Sequence, residues 1–221
     1  MRLPSATVLA ASLCLAAPLH AQARSAAETA VRHAVSAWAG VRTVRASFEQ
    51  TVTNTLVGST ANATGSYQQE RPDRLAVTFQ DPDGDRIVAD GQWLWVYLPS
   101  SMPGRVTRQA EPANGSGTVD VTAQFLDRPL ERYEIADAGP DTVSGRPAHA
   151  VVLTPKADGP REFSRAKVWI DDGDGYIRKF EVSQSNGVIR RVHLTSLAVN
   201  VPVNESAFHF VVPKGVRVVE R

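Results

Sequence analysis

The chain has 221 residues, of which 24 are basic and 23 are acidic, so its formal net charge is +1. Its basic residues form no long run, which argues against nucleic acid as a partner, because phosphate binding needs clustered positive charge. The single cysteine, Cys14, has no partner for a disulfide, so a hydrophobic core must stabilise the fold.

Residues 1–23 are typical of a cleaved secretory signal peptide. Arg2 provides a positive start, residues 3–19 are mostly small and apolar, and Ala21-Gln22-Ala23 provides an Ala-x-Ala cleavage site. The segment is too short and too rich in alanine for a membrane span, which needs about 20 strongly apolar residues. We therefore predict export from the cytoplasm, which in a bacterium means the periplasm or beyond.

The cysteine within this segment does not predict a lipid anchor. Leu13 precedes Cys14, at a position where bacterial lipoprotein signals need a small residue. Cleavage would remove one basic and no acidic residue, which leaves a mature chain without net charge. We expect a soluble, monomeric protein with one domain, residues 24–221, whose length suits a single all-β domain.

The first mature segment has the pattern of an amphipathic helix over residues 25–39. Ser25 and Glu28 have the spacing of a capping box, in which the two side chains satisfy opposite backbone N–H groups. Gly40 stands where a helix commonly ends. The apolar residues with helical spacing are Ala27, Ala30, Val31, Ala34, Val35 and Trp38.

From Thr43 onward, apolar and polar residues alternate with the period of half-buried strands. Residues 56–69 are rich in Thr, Ser, Gly and Ala, which favours a strand or hairpin of weak character. We predict a mainly β chain with one long helix, one or two short helices and a single, strongly curved antiparallel sheet. Further strands are predicted within 70–99 and at 105–110, 134–138, 148–154, 162–171, 176–183, 187–196 and 207–212.

The segment from Glu70 to Pro99 organises the prediction, because it contains three strands and two turns. Asp81-Pro82-Asp83-Gly84 marks the first turn, and Asp90-Gly91 marks a two-residue hairpin turn in which both central residues need a positive φ. The last strand is apolar on both faces, so both must be covered by core, lid or ligand. Its faces are Trp93, Trp95 and Tyr97 on one side and Leu94, Val96 and Leu98 on the other.

Two short helices are predicted in the middle of this β sequence. Residues 111–118 form the clearest loop, and residues 121–126 and 129–133 follow it as helices divided near Pro129. Helices inserted at such a place usually cover an open face of a sheet. We expect the inward residues to be Phe125, Leu126 and Leu130.

The residues that could support catalysis or metal binding form no recognised pattern. Asp171-Asp172-Gly173-Asp174-Gly175 lacks the spacing and the final Glu of a calcium loop, so it is better explained as a hairpin turn. There is no nucleophile elbow, Walker loop or His/Cys ligand spacing. We therefore predict no cofactor, no metal and no catalytic residues. The histidines of the mature chain are His33, His149, His193 and His209.

Several motifs together resemble the LolA family of periplasmic carriers, which bring lipoproteins towards the outer membrane. The resemblance extends in order over nearly all of the mature chain, and its most specific parts are Arg71-Pro72 and the D-G-x-x-L-W-x-Y pattern. It implies an incomplete β-barrel of about eleven strands covered by a lid of three helices. The motifs are V-R-A-S-F-E-Q (44–50), G-S-Y-Q-Q-E-R-P (65–72), I-V-A-D-G-Q-W-L-W-V-Y (87–97), V-L-T-P-K (152–156) and F-H-F-V-V-P-K-G-V (208–216).

The resemblance also implies functional residues. Arg71 matches the arginine that hydrogen-bonds to the lid and holds it shut, although a lone arginine at a strand start is usually only a solvated residue. An aromatic strand is likewise more often ordinary core than a ligand site. The implied lipid-binding cavity and lid comprise Trp38, Phe48, Leu75, Val77, Phe79, Trp93, Trp95, Tyr97, Phe125 and Leu126.

The partners implied by the resemblance are acylated lipoproteins as cargo, a LolCDE-type inner-membrane transporter as donor and a LolB-type outer-membrane acceptor. Four alternatives stay open at this point. They are a carrier of another lipid or glycolipid, a LolB-like acceptor, an RseB-like lipoprotein sensor and, last, an enzyme. The sequence leaves open which face of the strand 92–98 lines the cavity, and whether residues 111–118 dock a partner.

Overall fold

The computed structural model describes residues 19–110, 122–156 and 163–220, with side chains from residue 26 onward. Most of the predicted signal peptide and the predicted loop at 111–118 lie outside the described residues. The helices are α1 (Leu19–Ala39), α2 (Ala123–Leu126) and α3 (Pro129–Arg132). The strands are β1 (Thr43–Asn54), β2 (Ser59–Glu70), β3 (Arg74–Asp81), β4 (Arg86–Asp90), β5 (Trp93–Tyr97), β6 (Arg105–Ala110), β7 (Tyr133–Val143), β8 (Arg146–Pro155), β9 (Arg165–Asp171), β10 (Ile177–Ser183), β11 (Val188–Val199) and β12 (Arg217–Glu220).

All of these strands belong to one sheet, in the order β12-β6-β5-β4-β3-β2-β1-β11-β10-β9-β8-β7. The sheet is open, with β7 and β12 at its edges, so the prediction of a single sheet that forms an incomplete barrel is confirmed. Neighbouring strands are antiparallel except for β12, which pairs in parallel with β6. The hairpin predicted around residues 171–175 is also confirmed, because Val168 and Ile170 pair with Phe180 and Ile177.

The hairpin turn at Asp90-Gly91 is present, but it forms by a different mechanism from the predicted one. Only Gly91 has a positive φ, at 92°. The Asp90 carboxylate instead accepts hydrogen bonds from the backbone N–H groups of Gln92 and Trp93, at 2.9 and 2.8 Å. Aspartate is therefore favoured here because its side chain satisfies the turn backbone.

Two predictions are wrong, the start of the first helix and the presence of one strand. Helix α1 begins at Leu19 rather than Ser25, since the intervening Leu, Ala, Gln and Arg residues are good helix formers, so Ser25 lies inside the helix and not at its N-cap. The predicted strand at 207–212 does not form. Residues Glu205–Phe208 form a 3₁₀ turn, in which the Asn204 side chain accepts a hydrogen bond from the Ser206 N–H.

We call the sheet face that carries α1 and α2 the inner face. One core cluster combines residues of both helices with inner-face residues of strands on either side of β1. Register shifts within the β1–β11, β2–β3, β9–β10 and β7–β8 pairs mark bulges, which increase the twist and bend of a sheet. Curvature of this kind lets distant strands share one core. The largest fully buried side chains of this core include Tyr133, Phe125, Leu153, Ile170, Val31 and Val44.

Gly65 is required where β2 passes beneath the side chain of Phe48. A Cβ atom at this position would lie 2.6 Å from the carbonyl oxygen of Thr78 and 2.7 Å from Cζ of Phe48. We expect Gly65→Ala to lower the free energy of unfolding by about 2–3 kcal/mol, because backbone on one side and a packed ring on the other leave no room. Urea denaturation measures this loss. Gly40→Ala is the control, since a Cβ there would meet nothing within 4 Å; equal stability of the two variants would contradict the expectation.

Candidate functional site

Among the described residues, the helices α1 and α2 cover one half of the inner face. Helix α1 lies against β7, β8 and β9, and buries Ala27, Val31 and Ala34. Helix α2 adds Phe125 and Leu126, which are 0 % and 8 % exposed. The Phe125 ring lies 5.3 Å from the ring of Phe180 on β10, measured between centroids. This half of the sheet is therefore closed by the helices and packed as ordinary core.

The other half of the inner face, on β2 to β5, forms an apolar surface that the described part of the chain covers only partly. Leu75, Ala89 and Leu94 form a small buried cluster at its centre. The strand register places their neighbours on the same face, directly opposite one another. Those neighbours remain partly accessible, and we call the whole surface the inner hollow; they are Tyr67, Val77, Ile87 and Val96.

Seven of the predicted lipid-binding residues lie on the inner side of the sheet. The Phe48 and Phe79 rings meet edge to face, with 5.6 Å between their centroids. Trp38 is 6 % exposed at the last turn of α1, in the same core cluster as both rings. The others are Leu75, Val77, Phe125 and Leu126. The strand register and the helix packing together bring these residues to one side of the sheet.

Trp93, Trp95 and Tyr97, which were predicted to line the cavity, lie on the opposite face of the sheet from the inner hollow. The Trp95 ring stacks on the ring of Phe210 at 5.4 Å between centroids, and the Tyr97 ring lies 5.9 Å from it. The Arg108 guanidinium lies 4.2 Å from the centre of the Trp93 ring. One apolar face of β5 thus lines the inner hollow, and the other packs against Phe210 of the C-terminal segment.

Leu94 and Val96, not their aromatic neighbours, face the hollow. Sequence reasoning recognised both faces of β5 but had no way of assigning them. The assignment depends on the hairpin register, in which Ala89 opposes Leu94 and Ile87 opposes Val96. Counting outward from the Asp90-Gly91 turn relates Leu94 only to the face of Ile87 and Ala89 on β4, and the link to Leu75 needs the separate register of β3 with β4.

Arg71 connects the end of β2 to the end of α1. Its Nη1 donates hydrogen bonds to the carbonyl oxygens of Trp38, at 3.0 Å, and Val41, at 3.1 Å. Its guanidinium also lies 5.5 Å from the centre of the Trp38 ring. A cation at this position is favoured by the dipole at a helix C-terminus, whose negative end lies at the last carbonyl groups. The contact fixes the end of the long helix to the rim of the sheet.

The segment 171–175 is a turn organised by one buried carboxylate. Asp171 is 2 % exposed and accepts hydrogen bonds from the backbone N–H groups of Gly173 and Asp174, at 2.9 and 3.2 Å. Arg146 makes a bidentate ion pair with the Asp171 carboxylate, and Arg178 approaches the same carboxylate. Burial opposes ionisation of Asp171, but these hydrogen bonds outweigh it and hold the pKa well below the usual range.

The described histidines belong to no cluster suited to a metal ion, and the Ser144–His193 contact lacks a well-placed carboxylate. No cluster of three or more His, Cys, Asp or Glu side chains suited to a metal ion occurs among the described residues. Ser144 Oγ lies 2.8 Å from His193 Nε2, but the Glu49 carboxylate is 3.8 Å from Nδ1 and is largely exposed. A carboxylate at that distance in water does not orient the imidazole, so this contact does not have the geometry of a catalytic triad.

A groove of about 720 Å³ lies on the outer face, between the strands β1, β2 and β11 and residues 202–204. Its lining includes Arg45, Ser47, Ser66 and Gln68. Apolar residues such as Leu197 and Val203 also line the groove, so polar and apolar side chains are mixed there and it matches a hydrocarbon less well than the apolar inner hollow does. Within the described residues, no helix is both long enough and apolar enough to cross a bilayer.

Relatives of the chain share one description. A curated protein of Halorhodospira halophila is 28 % identical over 180 residues, which are 81 % of this chain and 80 % of that protein. One of Cupriavidus necator is 26 % identical over 223 residues, which are 98 % of this chain and 97 % of that protein. Both are named outer-membrane lipoprotein carrier protein.

Solved structures show the same fold at low sequence identity. An uncharacterised conserved protein from Thermus thermophilus superposes with a TM-score of 0.55 at 12 % identity, over 89 % of this chain and 99 % of that one. MucB from the Pseudomonas aeruginosa MucA/MucB complex gives 0.50 at 16 % identity, over 88 % and 63 %. The family described as outer membrane lipoprotein carrier protein LolA matches residues 39–211. The chain, with its open sheet, helical cover and apolar inner hollow, therefore belongs to the LolA family.

Proposed function

We propose that this protein is a periplasmic carrier that binds the acyl chains of lipoproteins released from the inner membrane and delivers them to an outer-membrane acceptor. The observation that supports this most is the inner hollow, an apolar surface on β2 to β5 that stays partly accessible among the described residues. The names of the relatives supply the cargo class. An acyl chain is the chemistry that such a surface suits.

The magnitudes set a limit on how such a carrier holds its cargo. Each buried CH₂ group gains about 0.8 kcal/mol, so one chain of ~15 carbons could gain ~12 kcal/mol. Two or three fully buried chains would bind too tightly to be released. A carrier must therefore hold its load incompletely. A hollow that is partly open along Val77, Ile87 and Val96 meets this requirement.

The partners in this proposal follow from the family. The donor is a LolCDE-type transporter of the inner membrane, and the acceptor is of the LolB type. The carrier is a monomer of residues 24–221 after removal of the signal peptide at 1–23. Its work is binding and release without catalysis, as in the LolA carrier family. Energy for loading then comes from the donor, and closure of the empty hollow favours unloading.

Adjacent cysteines on opposite faces of β3 test where the acyl chain lies. Residues 24–221 contain no cysteine, so Val77→Cys and Thr78→Cys each introduce a single thiol. Val77 faces the hollow and Thr78 the other side. A diacylated peptide with a thiol-reactive group at the end of one acyl chain should modify Val77→Cys about tenfold faster than Thr78→Cys, because a bound chain raises its local concentration.

A short water-soluble reagent with the same reactive group is the control. It should modify Thr78→Cys faster, since Thr78 is exposed and Val77 is half-buried. If the acylated peptide also modified Thr78→Cys faster, the acyl chain would not occupy the inner hollow. Mass spectrometry of the intact protein gives both rates directly.

A further inference from the structure

Gln69 is a polar residue in the core of the inner face. Its side chain is 0 % exposed. The strand register places it directly opposite Val44 on β1 and Leu75 on β3, so apolar residues flank it on both sides. Only three polar or charged residues are buried in the described part of the chain, and of these Gln69 is the one on the inner face next to the hollow. A buried amide in such a place needs a reason.

Within the described residues, only the oxygen of the Gln69 amide has a hydrogen-bond partner. Its Oε1 accepts a hydrogen bond from the Tyr67 hydroxyl, at 2.5 Å. Its Nε2 is buried and has no hydrogen-bond partner among the described residues. Turning the amide over would not remove the deficit, because the oxygen would then lack the partner. Buried polar groups are nearly always paired, since leaving one unpaired costs stability.

The empty protein therefore keeps a hydrogen-bond donor beside an apolar surface. A pure hydrocarbon would leave Nε2 unpaired, whereas an acyl group carries a carbonyl oxygen at the point where its chain is attached. That oxygen accepts hydrogen bonds, and the rest of the chain matches the side chains of Leu75, Val77 and Leu94. The unpaired donor and the apolar hollow together match the two parts of an acyl ester.

We propose that Gln69 is a specificity residue, whose Nε2 donates a hydrogen bond to an ester carbonyl oxygen of the bound acyl group. The inference rests on the proposed function, since it concerns how the same hollow recognises its cargo. The instability that the unpaired amide causes in the empty protein is relieved on loading. Gln69 thus trades stability of the empty carrier for preference towards ester-linked chains.

Gln69→Leu tests this proposal, because leucine has a similar volume and no polar atoms. Gln68→Leu is the matched control: Gln68 is the preceding residue on β2, on the outer face, where its Oε1 accepts a hydrogen bond from the Asn204 N–H. The ligands are a dipalmitoyl peptide with ester links and its dialkyl ether analogue, which lacks the carbonyl oxygens. Fluorescence anisotropy of the labelled peptides measures the affinity of the purified protein for each.

The protein should bind the ester about threefold to tenfold more tightly than the ether, as expected for one hydrogen bond. Gln69→Leu should abolish this preference while retaining affinity for the ether, and Gln68→Leu should keep the preference.

The results separate this inference from the proposed function. An equal ester preference in Gln69→Leu and in the unchanged protein would overturn the role of Gln69. So would the absence of any ester preference in the unchanged protein, in which case a buried water would be the partner of Nε2. Binding of neither ligand by any variant would instead contradict the proposed function itself.

Discussion

Replacement of Arg71 by leucine should uncouple loading from delivery. The variant loses the hydrogen bonds from Nη1 to the carbonyl oxygens of Trp38 and Val41. Hydrogen bonds from a charged group contribute about 1.5–3 kcal/mol, so the closed, empty state should lose stability by that amount. At about 1.4 kcal/mol per factor of ten, transfer to the acceptor should fall roughly tenfold to hundredfold, while the loaded complex forms at least as well.

A transfer assay measures this effect. Purified complexes of cargo with the unchanged protein or with Arg71→Leu are incubated with acceptor-containing membranes, and the cargo that remains soluble is counted over time. Arg45→Leu is the control, because Arg45 is an exposed arginine on the outer face of β1. Arg71→Lys should lie between the two extremes, since it keeps the charge without the guanidinium. If Arg71→Leu loads and delivers like the unchanged protein, Arg71 does not hold the helical lid shut.

Asp171→Asn should cost the most stability of any single polar substitution proposed for this chain. The variant keeps Arg146, Arg178 and the two backbone N–H groups in place but removes the negative charge that they contact. Removal of one partner from a buried ion pair strongly destabilises a protein, and we expect a loss of about 3 kcal/mol in the free energy of unfolding at pH 7. Asp172→Asn, at an exposed position of the same turn, should change it by at most about 0.5 kcal/mol.

The same residue predicts a dependence on pH. The pKa of Asp171 is lowered in the folded protein, so the ionised side chain stabilises the folded state more than the protonated side chain does. Its contribution is fully present above the unfolded value of about 3.9 and is lost as the pH falls towards the lower folded value. The difference between the unchanged protein and Asp171→Asn in urea denaturation should therefore narrow below about pH 4. A difference that widened with acid would contradict this.

Local sequence patterns predicted most of the sheet because the signals are local. Alternation of apolar residues located the strands, and the Asp81-Pro82-Asp83-Gly84 and Asp90-Gly91 turns separated them correctly. The pairing of β9 with β10 followed from the turn at 171–175 for the same reason. Such features depend on residues that are close together in the chain.

Features that depend on distant contacts were not predictable. The cover over Trp95 and Tyr97 comes from Phe210, more than a hundred residues away, and nothing in β5 itself indicates it. The segment around Phe208 alternates like a strand, yet it forms a 3₁₀ turn that contacts β3 and β4. The role of Arg71 was inferred from the resemblance alone, because a lone arginine in a sequence gives no indication of its partner.

The most direct test of the carrier function is release of lipoprotein from a donor membrane. Proteoliposomes that contain the inner-membrane donor transporter and a lipoprotein receive the purified protein and ATP, and the soluble fraction is examined. We expect a soluble complex of one carrier with one lipoprotein, which requires ATP and the carrier together. If no lipoprotein is released, and native mass spectrometry of the purified protein shows a different lipid bound, the chain carries another cargo; if it shows no lipid at all, the inner hollow is not a binding site.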